Sequence, residues 1–263
     1  MSDRVEVSVK DHVAEVMLNR PDKFNALDIE TFVALDAAAR TLAGERAVRA
    51  VVLHGAGEHF CAGIDLGALQ AGGEAVARAL LGPVEDSSAN LAQRAAYAWR
   101  ELPMPVICAV QGSVFGGGFQ IAMGADLRYA SDDAKFSIME SKWGLIPDMG
   151  ISTTLRGILT PDRVKELAWT ARVFDAAEAL GLGLVTGIED DPLVAARHMA
   201  ATLAERSPDA IRGIKRLVNE SWRLAEDGAL ALEMQIQMGI LQAPNQAEAV
   251  RANLEKRSPE FGD

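Results

Sequence analysis

A chain of 263 residues, 49% of them hydrophobic, is long enough for one large core or a core with a smaller appendage, and too apolar for disorder. The formal net charge of −11 argues against a nucleic-acid partner, whose binding runs on neutralising phosphates with Lys and Arg. It leaves open an anionic small ligand held by local cations and helix N-termini.

Cys61 and Cys108 both lie in apolar surroundings without C-x-x-C spacing, so two reduced, buried thiols are expected rather than a disulfide framework. The opening MSDRVEVSVK has no apolar segment of the signal-peptide kind. No apolar run approaches the ~20 residues of a membrane span, so no membrane partner and a cytoplasmic setting are expected.

Residues 4–10 and 13–18 alternate apolar and polar around Asp11 and His12, the pattern of a hairpin. After the loop NRPDKFNAL, Asp28 is placed to cap a helix over about 29–43, with Phe32, Leu35, Ala39 and Leu42 on one face. A short buried strand, 49–55, ends in glycine. The Ala-rich stretch 67–100, broken at Gly72-Gly73 and Gly82-Pro83, predicts broken helix and mobile loop, then a helix ending near Leu102.

A second buried strand, 105–112, also ends in glycine. A helix over about 117–125 follows, then strands at 127–130 and near 135–138. Alternating strand and helix with glycine loops at the strand ends predicts an α/β layered core with function at one edge. From about 160 the pattern turns helical. Thr160-Pro161 and Asp175…Glu178 are helix starts, and 192–206, 208–225, 229–242 and 244–256 read as successive helices. Ile211, Ile214, Leu217 and Val218 form a stripe that serves either the core or a subunit contact. The change of pattern near 190–207 divides the chain into a core, 1–200, and a helical region, 201–263.

Gly116, Gly117 and Gly118 open the helix at 117. A helix N-terminus presents unpaired N–H groups with partial positive charge, and glycines let a ligand approach them closely. The Gly117 N–H is thus a candidate oxyanion donor. The turn Ala62-Gly63 offers the Ile64 N–H as a second, and two donors from separate loops could hold one carbonyl oxygen. The G-x-G-x-x-G spacing of a dinucleotide site is absent. His12, His54, His59 and His198 show no ligand spacing, so no metal is expected and these residues read as structural or surface.

Four segments in this order, NRPDKFNAL, FCAGIDL, VQGSVFGGGFQIAMGADLRYA and FSIMESKWGLIPDMG, resemble the crotonase superfamily of enoyl-CoA hydratases and isomerases over most of residues 5–256. The resemblance implies a spiral of ββα units followed by a helical region that builds trimers, often paired as hexamers. It implies an acyl-CoA thioester as substrate, coenzyme A entering with it and no separate cofactor. The enolate oxygen would be held by the N–H groups of Ile64 and Gly117. Lys23, Phe24, Ala62 and Asp65 fall in the segments that line the CoA site. Lys256 matches a C-terminal lysine that approaches a CoA phosphate, often from a neighbouring subunit; otherwise it is a solvated tail charge. Some relatives carry a lysine just after Asp-Leu, where this chain has Gly67, so that contact would be missing.

A hydratase of the resembled family uses two glutamates with a water between them. Here the first position is Gln120 and the second Glu140. An amide can orient a water or substrate but has no proton to exchange near neutral pH. Asp148 falls where the dienoyl-CoA isomerase branch places an aspartate, although that branch normally has an aspartate at the position of Gln120 too. The expected function is therefore a double-bond shift, with Glu140 as principal acid–base and Asp148 as second. The alternatives are a hydratase in which Glu140 acts alone and a CoA-thioester-binding protein with little catalysis. Asp148 has a second reading as a turn cap after Pro147.

Overall fold

Strands β1 (Val5–Lys10) and β2 (Val13–Leu18) pair antiparallel, with Val5 opposite Leu18. Their turn is Asp11 and His12, both at positive φ. This is the expected hairpin, in a computed structural model that describes residues 3–263. Helix α1 (Ile29–Gly44) starts where the sequence puts it, with the Asp28 carboxylate accepting from the Thr31 N–H at 2.9 Å.

The chain continues through β3 (Ala50–Gly55), α2 (Leu66–Leu81), α3 (Leu91–Glu101), β4 (Val106–Val110), β5 (Ser113–Phe115), α4 (Gly117–Gly124), β6 (Leu127–Ala130) and β7 (Lys135–Ser137). Then come α5 (Ile151–Thr154), α6 (Pro161–Thr170), β8 (Phe174–Asp175), α7 (Ala176–Gly181), β9 (Gly187–Ile188) and α8 (Pro192–Ala204). Helices α9 (Pro208–Ser221), α10 (Glu226–Ile240) and α11 (Pro244–Glu255) close the chain. None of the described helices is long and apolar enough to cross a membrane.

Two sheets share these strands, alternating from β4 to β7. One runs β1-β2-β3-β4-β6-β9, parallel from β2 onward; the other runs β5-β7-β8. Successive strands such as β4 and β5, or β6 and β7, go to different sheets. The apolar runs of β3 and β4 follow from having both faces covered. Val51, Leu53, Val106 and Cys108 join the main core with Phe32, Leu35 and Trp99. Ala50, Val52, Ile107 and Ala109 face the other way and pack with Ala196 and Ala200 of α8.

The broken helix expected in the Ala-rich stretch is residues 66–81, with its break at Gly73 (φ 51°, ψ −137°), and the expected helix ending near Leu102 is α3, fixed by a capping box of Asn90 and Gln93. Two expectations change. Strand β5 was not expected; three residues after Gly112 carry too little pattern to separate it from the strand before. Helix α10 starts three residues earlier than its apolar periodicity suggests, with Glu226 and Asp227 in its first turn. Both cysteines are buried and free, as expected, and burial pushes the Cys61 thiol up to about 12.

Candidate active site

The loop after β3 is threaded between two neighbours. Cys61 bridges to Val114, and Ile64 bridges to Leu27. The Leu27 N–H donates to the Gly63 carbonyl at 2.8 Å, and the Asp65 N–H donates to the Leu27 carbonyl at 2.9 Å. The Ile64 N–H lies between these bonds and has no acceptor among the described residues.

Helix α4 begins beside this loop. Gly116 sits at φ 51°, which a side chain would strain, and its N–H donates to the Ser137 carbonyl at 2.9 Å. A methyl group on Gly118 would lie 2.5 Å from the Cys61 carbonyl oxygen, so only glycine lets the helix and the loop come this close. The Gly117 N–H, on the helix's first turn, also lacks an acceptor among the described residues. A methyl group on Gly63 would reach within 3.5 Å of the Gly117 nitrogen, which measures how near the two loops are.

Ile64 and Gly117 line a cavity of about 560 Å³ together with Ala62, Glu140 and Asp148. The rest of the wall is mainly apolar, including Phe32, Leu66 and Leu80 on one side and Trp143, Leu145 and Ile146 on the other. Ile146 lines the cavity while 76% exposed, so it sits at the cavity's solvent edge.

Glu140 starts a 3-10 turn, Glu140–Trp143, and is half-buried. Its Oε1 accepts from the Gln120 amide nitrogen at 2.7 Å, while its Oε2 is buried without a hydrogen-bond partner among the described residues. Burial raises its carboxyl above the ordinary range. The nearby main-chain N–H of Glu140 and the Gln120 amide pull it down, and the charge of Asp148 pushes it up. Asp148 is at the exposed mouth, yet desolvation by the surrounding apolar groups raises its carboxyl as well. Two carboxyls near enough to sense each other, in an apolar cavity beside two free main-chain donors, have the makings of proton transfer at carbon.

Gln120 is fully buried and does not line the cavity; its amide oxygen accepts from the Met149 N–H at 2.8 Å. Lys23 and Phe24 belong to the loop whose Phe24 carbonyl accepts from the Ala62 N–H at 2.9 Å, so they adjoin the site without lining this cavity. The Asp65 carboxylate caps α2 through the Ala68 N–H and takes Arg20 at 3.2 Å, which holds it below the usual range. Lys256 ends α11 in a left-handed conformation and is not part of the cavity wall. Sequence reasoning missed the Met149 N–H and the arc Trp143, Leu145, Ile146. Only the clustering of apolar residues between Glu140 and Asp148 signals that arc.

Two sheets that exchange strands from β4 to β7, a glycine-opened helix against the cavity and a helical C-terminal region define a crotonase-type α/β fold. The crystal structure of an enoyl-CoA hydratase from Bacillus anthracis has this fold, with a TM-score of 0.90 at 28% identity and 98% of each chain covered. The chain belongs to the enoyl-CoA hydratase/isomerase family, whose profile matches residues 8–263. Similar relatives carry different activities in their names. The peroxisomal Delta(3,5)-Delta(2,4)-dienoyl-CoA isomerase of Arabidopsis thaliana is 31% identical, covering 95% of this chain and 92% of its own. An enoyl-CoA hydratase of Mycobacterium tuberculosis is 32% identical, with 97% and 95% covered. The carnitinyl-CoA dehydratase of Proteus mirabilis is 32% identical, with 99% of each covered.

Proposed function

We propose that this protein is an acyl-CoA enzyme that shifts a carbon–carbon double bond. Coenzyme A enters as part of the substrate and no separate cofactor takes part. The thioester oxygen would lie between the N–H groups of Ile64 and Gly117. One carboxyl of the pair Glu140 and Asp148 removes a proton from carbon, and the electron pair moves onto the thioester oxygen. As it returns, the double bond forms one position along, and a proton is delivered to the far carbon. Each donor aimed at that oxygen contributes a few kcal/mol, about 3 per donor, in a dry site. Lys23, Phe24, Ala62 and Asp65 stand on the CoA side. Lys256 would reach the nucleotide from a neighbouring copy in a trimer or a dimer of trimers.

One observation carries this reading over water addition. At the position where a hydratase would need a second acid stands Gln120, in direct contact with Glu140 at 2.7 Å. No water fits between them, and the amide cannot exchange a proton near neutral pH. The available second acid is Asp148. Hydration by Glu140 alone is the second reading, favoured by Glu140 itself lining the cavity.

Incubation with 2-enoyl-, 3-enoyl- and 3,5-dienoyl-CoA in deuterated water distinguishes them. Isomerised product with a moved or exchanged proton is expected. A 3-hydroxyacyl-CoA formed at a good rate would establish the hydratase instead, and binding without exchange would reduce the protein to a carrier.

A further inference from the structure

Both ends of the Gln120 amide are engaged, and the first bond dictates the second. A main-chain N–H can only donate, so the Met149 N–H at 2.8 Å must face the amide oxygen. The amide nitrogen is thereby turned to Glu140 Oε1 at 2.7 Å. In a protonated carboxyl the carbonyl oxygen is the stronger acceptor, so the oxygen that takes an N–H at that distance is favoured as the C=O. A proton on Glu140 is therefore favoured on Oε2, the oxygen without a partner.

From this we infer that Gln120 is a positioning residue that selects which oxygen of Glu140 carries the transferable proton, placing it on Oε2, the buried oxygen that no protein group engages. The inference rests on Glu140 being the acid–base of the proposed reaction. It also explains why an amide stands at position 120. A glutamate there would still give one oxygen to the Met149 N–H. Its other oxygen would meet Glu140 Oε1, acceptor against acceptor, unless a proton were shared between them. The proton would then be held between Oε1 and residue 120, and Oε2 would be left bare.

The same amide holds the peptide that joins Asp148 to Met149, so one side chain registers both carboxyls. Asp148 is the other titratable group in the cavity wall among the described residues. Lys142, on Glu140's own turn, lies 5.7 Å from the Trp143 ring centre, and α6, packed on that turn, adds no charged group to the wall.

The test follows the glutamate carboxyl carbons by ¹³C NMR through a pH titration, with Glu140 assigned by its absence in Glu140→Gln. It compares wild type, Gln120→Met, which keeps length but removes the donor, and Gln120→Glu, which keeps the Met149 bond. In Gln120→Met the Glu140 signal is expected to titrate at higher pH than in wild type. In Gln120→Glu the two carboxyls titrate as a coupled pair. The acid-side limb of the pH–rate profile should move the same way, with kcat down at least about tenfold and KM nearly unchanged.

An unmoved pH profile with a merely lower rate would reduce Gln120 to a structural part. So would a single, wild-type-like Glu140 titration in the isosteric Gln120→Glu. The NMR titration needs no substrate. If wild type turns over none of the enoyl-CoAs, the proposed reaction fails while the proton placement is still decided.

Discussion

At the scale of single residues, the chemistry depends on how Glu140 titrates. Burial raises its carboxyl from an ordinary 4.5, so the basic form is reached only at higher pH. Turnover that starts with proton removal should therefore fall away on the acid side at a pH above the usual glutamate range. Glu140→Gln should reduce kcat by at least about a thousandfold, near the limit of what a positioned acid–base supplies, and leave CoA affinity nearly intact. Full turnover in that variant would remove Glu140 from the mechanism.

Stability gives a second reading of the same group. Between 4.5 and the raised native value the folded chain binds more protons than the unfolded one, so stability declines as pH rises through that window. Urea midpoints across pH should show this decline in wild type and a weaker one in Glu140→Gln, Asp148 adding the same sign from 3.8. Asp148→Asn separates the two acids: exchange at the first carbon should persist while the shifted product is lost, read by deuterium position in recovered substrate. The letters of the sequence pointed to Glu140, Asp148 and an odd amide. They could not reveal what the amide touches, because Glu140 and Met149 lie 20 and 29 residues further on and meet it only in the fold.

At the scale of elements, what was legible is what is local. Asp28 and Asp175 cap α1 and α7 through bonds three residues long, and such caps can be read from spacing alone. The alternation in β1 and β2 is equally local. Lys215 is the opposite case. On a helix whose stripe is Ile211, Ile214 and Val218, a lysine reads as solvent-facing. In the fold it is buried, 2.7 Å from the Asp126 carboxylate, and donates to the carbonyls of Trp99 and Met104 at 3.1 and 2.9 Å. Burial lowers its ammonium, and Asp126 works against that. Three acceptors from α3, the loop before β4 and the residue before β6 converge on one cation of α9, so this side chain fastens the helical region to the core. Lys215→Ala removes the cation beside Asp126, which keeps only the Val106 N–H, and should cost about 3 kcal/mol, measurable as a lowered urea midpoint with an unchanged slope. A change below about 0.5 kcal/mol would mean that α9 is held by its apolar contacts alone.

For the whole molecule, the question is what covers the C-terminal helices. The tail returns to the core, where Arg49 holds the Phe261 carbonyl and the Asp263 carboxylate at 2.9 Å each, and Glu248 anchors Arg251 and Arg257. α10 packs closely on α9, where a methyl group on Gly213 would lie 2.7 Å from the end of the Ile240 side chain. Even so, two stripes remain bare. Ile214, Val218 and Trp222 follow each other four residues apart at the end of α9, and Leu230, Met234 and Met238 do the same on α10. Trp222 is 77% and Met238 69% exposed. Aligned apolar rows of this size are what a subunit interface needs, and they are costly on a lone chain in water. The protein should therefore sediment at three times, or six times, the 28.1 kDa of one chain. Met234→Glu with Met238→Glu places two charges in the row and should shift it towards the monomer. If Lys256 reaches CoA from a neighbour, that variant should also lose CoA affinity while its far-ultraviolet circular dichroism stays that of the wild type. A wild-type chain that sediments at 28.1 kDa would leave the bare rows without an occupant and Lys256 without a role at the site.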